Sequence, residues 1–249
     1  MSRSKLIPGF LLGLGLLLVL LATAPARLLL AIVPAEQIIL QGVSGTLWEG
    51  KASRVLVASG AGWLHLGASR WSLSPVSLLT LAPRVEINSH WGRQTLKAEL
   101  TLHSSQHIEL RQLELLLDAA LLQQYLPVSL VGDIAMQFEE ITLREQYLES
   151  AVGRIVWQEG GWLSPQGRRQ LGSYALDVQP VASGGVVGEV ISLAGDLQAS
   201  GPVALNQSNY SIDVLLSGPG LDDAQLRQAL QLVAIPEGDT YRIKLQGSL

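Results

Sequence analysis

The sequence contains no cysteine, so it has neither disulfide bonds nor thiolate metal sites. Charge is also scarce: 15% of the 249 residues are charged, whereas 48% are hydrophobic. The segment 28–249 carries 14 basic and 21 acidic residues, with no cluster of Lys and Arg. Nucleic acids are bound through clustered basic side chains. We therefore expect no nucleic-acid partner. The 25 glycines favour many turns between short strands.

Charged residues are missing altogether from Leu6 to Ala26, a stretch of 21 residues that is apolar on every face. A helix of this length spans about 30 Å, the thickness of the hydrocarbon core of a bilayer. Arg3 and Lys5 precede the stretch, and the positive-inside rule then predicts a cytoplasmic N-terminus. The residues that mark this predicted membrane anchor are Leu6, Leu12, Leu16, Leu20 and Ala26.

A cleaved signal peptide is the alternative interpretation of the N-terminal stretch. Cleavage sites of the A-x-A type occur at 22–24 and at 24–26. Pro25 follows the first site directly, which disfavours cleavage, and the apolar run is long for a signal peptide. We favour a retained single-pass anchor at 6–26, after a cytoplasmic tail at 1–5 and before a periplasmic body at 27–249. Both interpretations place the body outside the cytoplasm.

The body shows the period-two alternation of strands that have one face on a core and one on water. The clearest examples are 96–102, 210–216 and 241–246. Further strands are predicted near 37–48, 52–58, 61–66, 69–74, 84–90, 129–138, 140–145, 148–158, 171–179, 187–198 and 203–206. Helices are predicted at 116–126, 221–233 and 76–81. The expected fold class is mainly β: a transmembrane helix followed by antiparallel sheets with short helices.

A short internal repeat leaves the arrangement of the sheets open. Residues 129–134 (SLVGDI) resemble residues 192–197 (SLAGDL), and a predicted helix lies near each copy. The repeat is compatible with two similar sheet units divided near residue 127. One continuous curved sheet, resembling the AsmA-type periplasmic domains of lipid-transport proteins, is the other arrangement.

Patterns with catalytic, cofactor-binding or metal-binding chemistry are weak in this sequence. Residues 42–46 (GVSGT) lack the final glycine of a nucleophile elbow. His103 and His107 flank a predicted turn rather than one face of a helix. We therefore predict no catalytic, cofactor or metal residue, and no enzyme activity. The six tryptophans lie in or beside predicted strands, where packing in the core would explain them. The alternative is a partner-binding or lipid-facing surface, for which Trp48, Trp71 and Trp157 are the candidate interaction residues.

The stretch from Val43 to Ala52 (VSGTLWEGKA) resembles the V-S-G-T-[LV]-W-x-G-x-A segment of the type II secretion system protein N family. Residues 71–79 (WSLSPVSLL) and 153–157 (GRIVW) are similar to later segments of that family, in the same order. Near the C-terminus, residues 238–239 read Gly-Asp, where the family usually has Asp-Gly.

The resemblance implies a bitopic protein of the bacterial inner membrane, without catalytic residues and with other type II secretion subunits as partners. Its expected role is that of an accessory subunit in the export of folded proteins from the periplasm. A lipid-handling module with an apolar groove remains the alternative function, with a lipid as ligand.

Overall fold

The computed structural model describes residues 13, 15–16, 19–59, 62–124, 129–145, 147–164, 167–231 and 233–248. Residues 19–22 are helical. Within the described ranges, no helix combines the length and the apolar composition that a membrane crossing requires. The predicted anchor residues Leu6 and Leu12 lie outside the described residues.

The described strands form one antiparallel sheet of fifteen. Their bounds are β1 (Ile38–Gln41), β2 (Ser44–Gly45), β3 (Glu49–Ser59), β4 (Gly62–Leu73), β5 (Arg84–Trp91), β6 (Gln94–Ser104), β7 (His107–Asp118), β8 (Leu130–Arg144), β9 (Tyr147–Ser164), β10 (Gly167–Pro180), β11 (Val186–Ala194), β12 (Gln198–Asn206), β13 (Asn209–Ser217), β14 (Ile235–Glu237) and β15 (Thr240–Ser248). The predicted mainly antiparallel β fold with few short helices is therefore confirmed.

The sheet is a meander in which consecutive strands pair from β3 through to β13. β1 and β2 both pair with β3, and β15 lies between β13 and β14. The predicted division near residue 127 falls between β7 and β8. These two strands pair from His107 and Arg144 to Asp118 and Asp133, so the sheet continues across this point. Of the two predicted arrangements, the structure has the single continuous sheet.

Besides residues 19–22, the described part of the chain has three short α-helices: α1 (Leu29–Ile32) before β1, α2 (Pro75–Leu79) between β4 and β5, and α3 (Ala224–Leu230) between β13 and β14. Turns of 3-10 helix occupy Ala26–Leu28, Ala119–Gln124 and Pro219–Asp222. The prediction at 76–81 overlaps α2, and the prediction at 221–233 contains α3. Asp223 caps α3, because its carboxylate accepts hydrogen bonds from the amides of Gln225 and Leu226.

The helix predicted at 116–126 is wrong. β7 continues to Asp118, and only a 3-10 turn follows. The consecutive leucines 115–117 lie on alternating faces of the sheet, where Leu115 pairs with Met136 and Leu116 with Ala135. A strand that is apolar on both faces has the same local composition as a buried helix, so the sequence pattern does not separate them.

The two faces of the sheet differ in polarity. On the apolar face, successive register partners from β6 to β11 are all half-buried aliphatic side chains: Leu96, Leu115, Met136, Ile155, Leu176 and Val190. On the polar face, the corresponding row across β3 to β11 is Lys51, Arg70, Asn88, Lys97, Glu114, Gln137, Arg154, Asp177 and Glu189. Alternation along each strand therefore extends across most of the sheet.

Three buried clusters lie along the apolar face. The C-terminal cluster joins β10 to β15 with α3 and includes Leu226, Leu230, Val214 and Leu216. The N-terminal cluster contains Ala26, Val43, Ala52 and Val55. The central cluster around Phe138, Ala151 and Val178 consists of strand side chains alone. Register shifts in β8, β9 and β10 bend the strands, and we attribute the burial of the central side chains to the resulting curvature.

Candidate interaction surfaces

The N-terminal segment joins the sheet at a tight hairpin between β2 and β3. The Thr46 amide donates to the Glu49 carbonyl at 2.8 Å, and the Glu49 amide donates back to the Thr46 hydroxyl at 3.1 Å. Gly45 has φ of 93°, and a Cβ there would lie 2.6 Å from the Glu49 oxygen. Only glycine fits this conformation and this contact without strain. The hairpin explains the S-G-T part of the segment 43–52.

Trp48 connects this hairpin to the last residues of the predicted anchor. Its indole N–H donates to the carbonyl of Leu21 at 2.9 Å, and the amide of Leu47 donates to the carbonyl of Ala24 at 2.8 Å. Pro25 forms an isolated bridge with Thr46, and Ala26 is fully buried. We call residues 21–26 with the hairpin 44–50 the leader junction. Through it, the last six residues of the apolar N-terminal stretch form part of the folded body.

Trp71 lies at the leader junction with Trp48. Its indole N–H donates to the carbonyl of Leu47 at 3.2 Å, and its ring covers Gly50, where a Cβ would meet the ring at 2.2 Å. Trp157 is elsewhere: its indole N–H donates to the carbonyl of Val131 at 3.1 Å. Its ring lies 5.7 Å from that of Tyr174, whose burial raises the pKa of the phenol to about 12.

The structure therefore brings two of the three candidate tryptophans together and places the third on the apolar face. Each is half-buried, and each indole N–H has a backbone acceptor. Of the anchor markers within the described residues, Leu16 and Leu20 are exposed, whereas Ala26 belongs to the N-terminal cluster.

The polar face carries ion pairs between neighbouring strands. Arg154 and Asp177 are register partners, with Nη2 and Oδ2 2.8 Å apart, and this hydrogen bond lowers the pKa of Asp177. Arg242 holds Asp213 in two hydrogen bonds of 2.6 and 2.9 Å, which lower the pKa of Asp213. A shallow hollow here is lined by polar side chains that include Gln112, Gln137 and Gln179. Such a surface suits water and polar partners rather than acyl chains.

His103 and His107 flank the turn between β6 and β7, as predicted, with ring centroids 4.7 Å apart. His103 contacts Glu109 at 2.7 Å, and the hydrogen bonds from His103 and Arg111 lower the pKa of Glu109. Among the described residues, no group of three His, Asp or Glu side chains is arranged to hold a metal ion.

Pattern reasoning missed one feature, the open edge of the sheet at β15. β14 pairs with β15 only at residues 240–242, and on that side no described strand pairs with Ile243 to Ser248. On its other side, β15 pairs with β13 from Tyr241 to Ser248. Half of the backbone amides and carbonyls over six residues thus point away from the sheet. Leu245 is 43% exposed beside them. The alternation at 241–246 predicted the strand but not its position in the sheet.

Comparisons with known proteins agree with one another. The family model described as "Type II secretion system (T2SS), protein N" matches residues 36–244, which extend from just before β1 into β15. The Type II secretion system protein N of Aeromonas hydrophila is 26% identical over an alignment covering 95% of this chain and 94% of the relative.

Two shorter alignments point the same way. The protein of the same name from Klebsiella pneumoniae is 30% identical over 68% of this chain and 66% of the relative. That from Vibrio cholerae serotype O1 is 29% identical over 61% and 62%. No solved structure matches the chain significantly.

Proposed function

Because this chain belongs to the type II secretion system protein N family, we propose that it is an accessory, structural subunit of the type II secretion system. Its task is to support the export of folded proteins from the periplasm, without catalysis of its own. The observation that carries this role is a continuous sheet with one edge left open at β15, at the opposite end of the sheet from the leader junction.

In this proposal, residues 6–26 form a single-pass anchor in the inner membrane, with the N-terminus in the cytoplasm and the body in the periplasm. Arg3 and Lys5 support the orientation. The leader junction supports retention of the anchor, since cleavage after Ala24 or Ala26 would remove residues that bind Leu47 and Trp48. Ala26 would also be lost from the core of the N-terminal cluster.

The open edge of β15 is the proposed contact surface for another secretion subunit. An exposed strand edge binds an extended segment through main-chain hydrogen bonds, and alternate side chains supply specificity. Ile243 and Leu245 would supply the apolar contacts of this strand–strand interface. Because the anchor confines the subunits to one membrane plane, it raises their effective concentration, so a six-residue edge is sufficient.

Site-specific crosslinking in cells tests this role. A photo-reactive amino acid is placed at Leu245 on the open edge, and in a matched control at Glu189, which is exposed in the middle of β11. We expect adducts with other type II secretion subunits from position 245 and not from position 189. Adducts from both positions alike would refute the edge as the contact. The absence of any secretion subunit, while the variant still supports exoprotein secretion, would refute the structural role.

The apolar face supports a second candidate function, a lipid-handling module. Its row of half-buried aliphatic side chains from Leu96 to Val190 crosses six strands, and such a surface would accept acyl chains. Mass spectrometry would measure phospholipid bound to the purified full chain after detergent exchange. Met136→Glu should release lipid that Gln137→Glu, on the polar face, retains. Equal lipid in both variants would assign all of it to the anchor and remove this alternative.

A further inference from the structure

Exposed aliphatic side chains are concentrated in the loop around α2. Val76 is 70% exposed, Leu79 84% and Leu81 85%, and no charged residue occurs between Pro75 and Pro83. Single exposed leucines are common on soluble proteins, but three of them in one uncharged loop mark a surface that meets an apolar partner. We call residues 75–83 the α2 loop.

The α2 loop is a defined structure rather than a loose connection. The Ser77 hydroxyl donates to the Ser74 carbonyl at 2.6 Å and accepts from the Arg84 amide at 2.8 Å. The Thr80 hydroxyl donates to the Ser77 carbonyl at 2.8 Å, and the Ala82 amide donates to the same carbonyl at 3.2 Å. These polar groups are therefore satisfied within the loop, which lowers the cost of bringing it into an apolar environment.

The position of the α2 loop identifies its partner. The Leu73 amide, two residues before the loop, donates to the carbonyl of Trp48 at 2.7 Å. Trp48 in turn donates its indole N–H to the carbonyl of Leu21. Only the end of β4 and the side chain of Trp48 thus separate the loop from the last residues of the apolar N-terminal stretch. Leu28 and Leu30, which follow the leader junction, are also exposed, at 47% and 50%.

We infer that the α2 loop rests in the interfacial layer of the phospholipid bilayer that holds the anchor, so that Val76, Leu79 and Leu81 insert among the lipids. This inference rests on the proposed anchor. Tryptophan is favoured at the same depth, which agrees with the place of Trp48 at the leader junction. The leader junction joins the body to the anchor at one place, and a second lipid contact would add a further constraint on the direction in which the sheet leaves the membrane.

Spin labelling of the full chain in phospholipid nanodiscs tests the inference. The chain has no cysteine, so single-cysteine variants can be labelled without background. Leu79→Cys reports on the α2 loop and Leu20→Cys on the anchor. Leu163→Cys is the matched control: an aliphatic side chain that is 55% exposed at the opposite end of the strands. Collision with oxygen relative to a water-soluble nickel complex measures lipid exposure at each label.

We expect the oxygen-to-nickel ratio at position 79 to be severalfold higher than at position 163 and close to that at position 20. A ratio at 79 equal to that at 163, with a high ratio at 20, would refute lipid contact by the loop while the anchor stands. Low ratios at both 20 and 79 would refute the anchor itself, and the inference with it. Circular dichroism checks the fold, and Val76→Cys provides a second probe of the loop.

Discussion

The two ends of the sheet differ in how completely the edge of the outermost long strand is covered by other strands. The first long strand, β3, has its outer edge covered by β1 and β2, and Pro25 forms a bridge with Thr46 just before β3. The last long strand, β15, has only the three residues of β14 beside it and remains open from Ile243 onward. Exposed edges invite pairing with other chains, so proteins usually cover them. Among the described strands β1 also has an unpaired outer edge, but it is only four residues long, and the longer open edge at β15 is the one that we propose as the place for a partner.

The two ends of the sheet also differ in the number of buried apolar residues. The C-terminal cluster has ten buried residues and a covering helix, whereas the N-terminal cluster has four buried residues. Most of the apolar burial that fixes the fold therefore lies near β15, and the end that meets the leader relies more on hydrogen bonds. The edge that we propose as a contact surface thus lies at the better-packed end of the sheet. The predictions below test this contrast.

The largest effect is expected in the C-terminal cluster. Leu226→Ala removes a side chain that is 7% exposed and leaves a cavity under α3. The free energy of unfolding should fall by about 2–4 kcal/mol. Urea unfolding of the full chain in detergent measures it. Leu79→Ala, at an exposed position, should change it by less than about 0.5 kcal/mol. Equal losses in the two variants would contradict the proposed dominance of the C-terminal cluster.

A smaller loss is expected at the leader junction. Gly50→Ala places a methyl group against the ring of Trp71, and this overpacking should cost about 1–3 kcal/mol. A double-mutant cycle with Trp71→Ala isolates the contact with the ring. Gly50→Ala should cost less once the ring is gone, whereas the part of the cost that comes from the Thr46 carbonyl oxygen, 2.9 Å from the added Cβ, should remain. If Gly50→Ala costs the same in both backgrounds, the glycine is required for another reason.

Hydrogen exchange should detect the loss of one bond at the same junction. Trp48→Phe keeps an aromatic ring but removes the indole N–H that binds the Leu21 carbonyl. The net value of such a bond is about 1 kcal/mol, so the Leu47 amide should exchange roughly fivefold faster. Trp63→Phe, at an exposed tryptophan near the opposite end of β4, is the control. Unchanged protection of Leu47 would show that the indole bond does not hold the leader.

The smallest effect is expected from the ion pair on β13 and β15. Arg242 lowers the pKa of Asp213 in the folded chain. The stability that this pair adds is therefore present above the unfolded pKa of about 4 and is lost as the pH falls through the lower folded value. Between pH 7 and pH 3, Asp213→Asn should lose less stability than the original chain. If the urea midpoints of the original chain and of Asp213→Asn fall by the same amount between pH 7 and pH 3, the ion pair makes no measurable contribution to stability.

The alternation of apolar and polar residues predicted the strands well, but it did not predict how the strands are arranged in the sheet. Alternation at 96–102, 210–216 and 241–246 corresponds to β6, β13 and β15, where one face is apolar and the other polar. It failed at Leu115 to Leu117, where both faces carry leucine. The meeting of Trp48 with Trp71, the burial of Ala26 and the open edge of β15 depend on register and strand order. Neither is encoded in a single segment.

The order of the strands also bears on how the chain reaches this structure. From β3 to β13, each strand needs only its predecessor as a template, so few contacts join distant parts of the sequence. As the chain is synthesised from its N-terminus, each new strand can pair with the strand before it, and no later segment is needed for this pairing. The exception is β15, which must enter between β13 and β14. The edge that remains accessible is thus formed after the strands from β3 to β13 have paired.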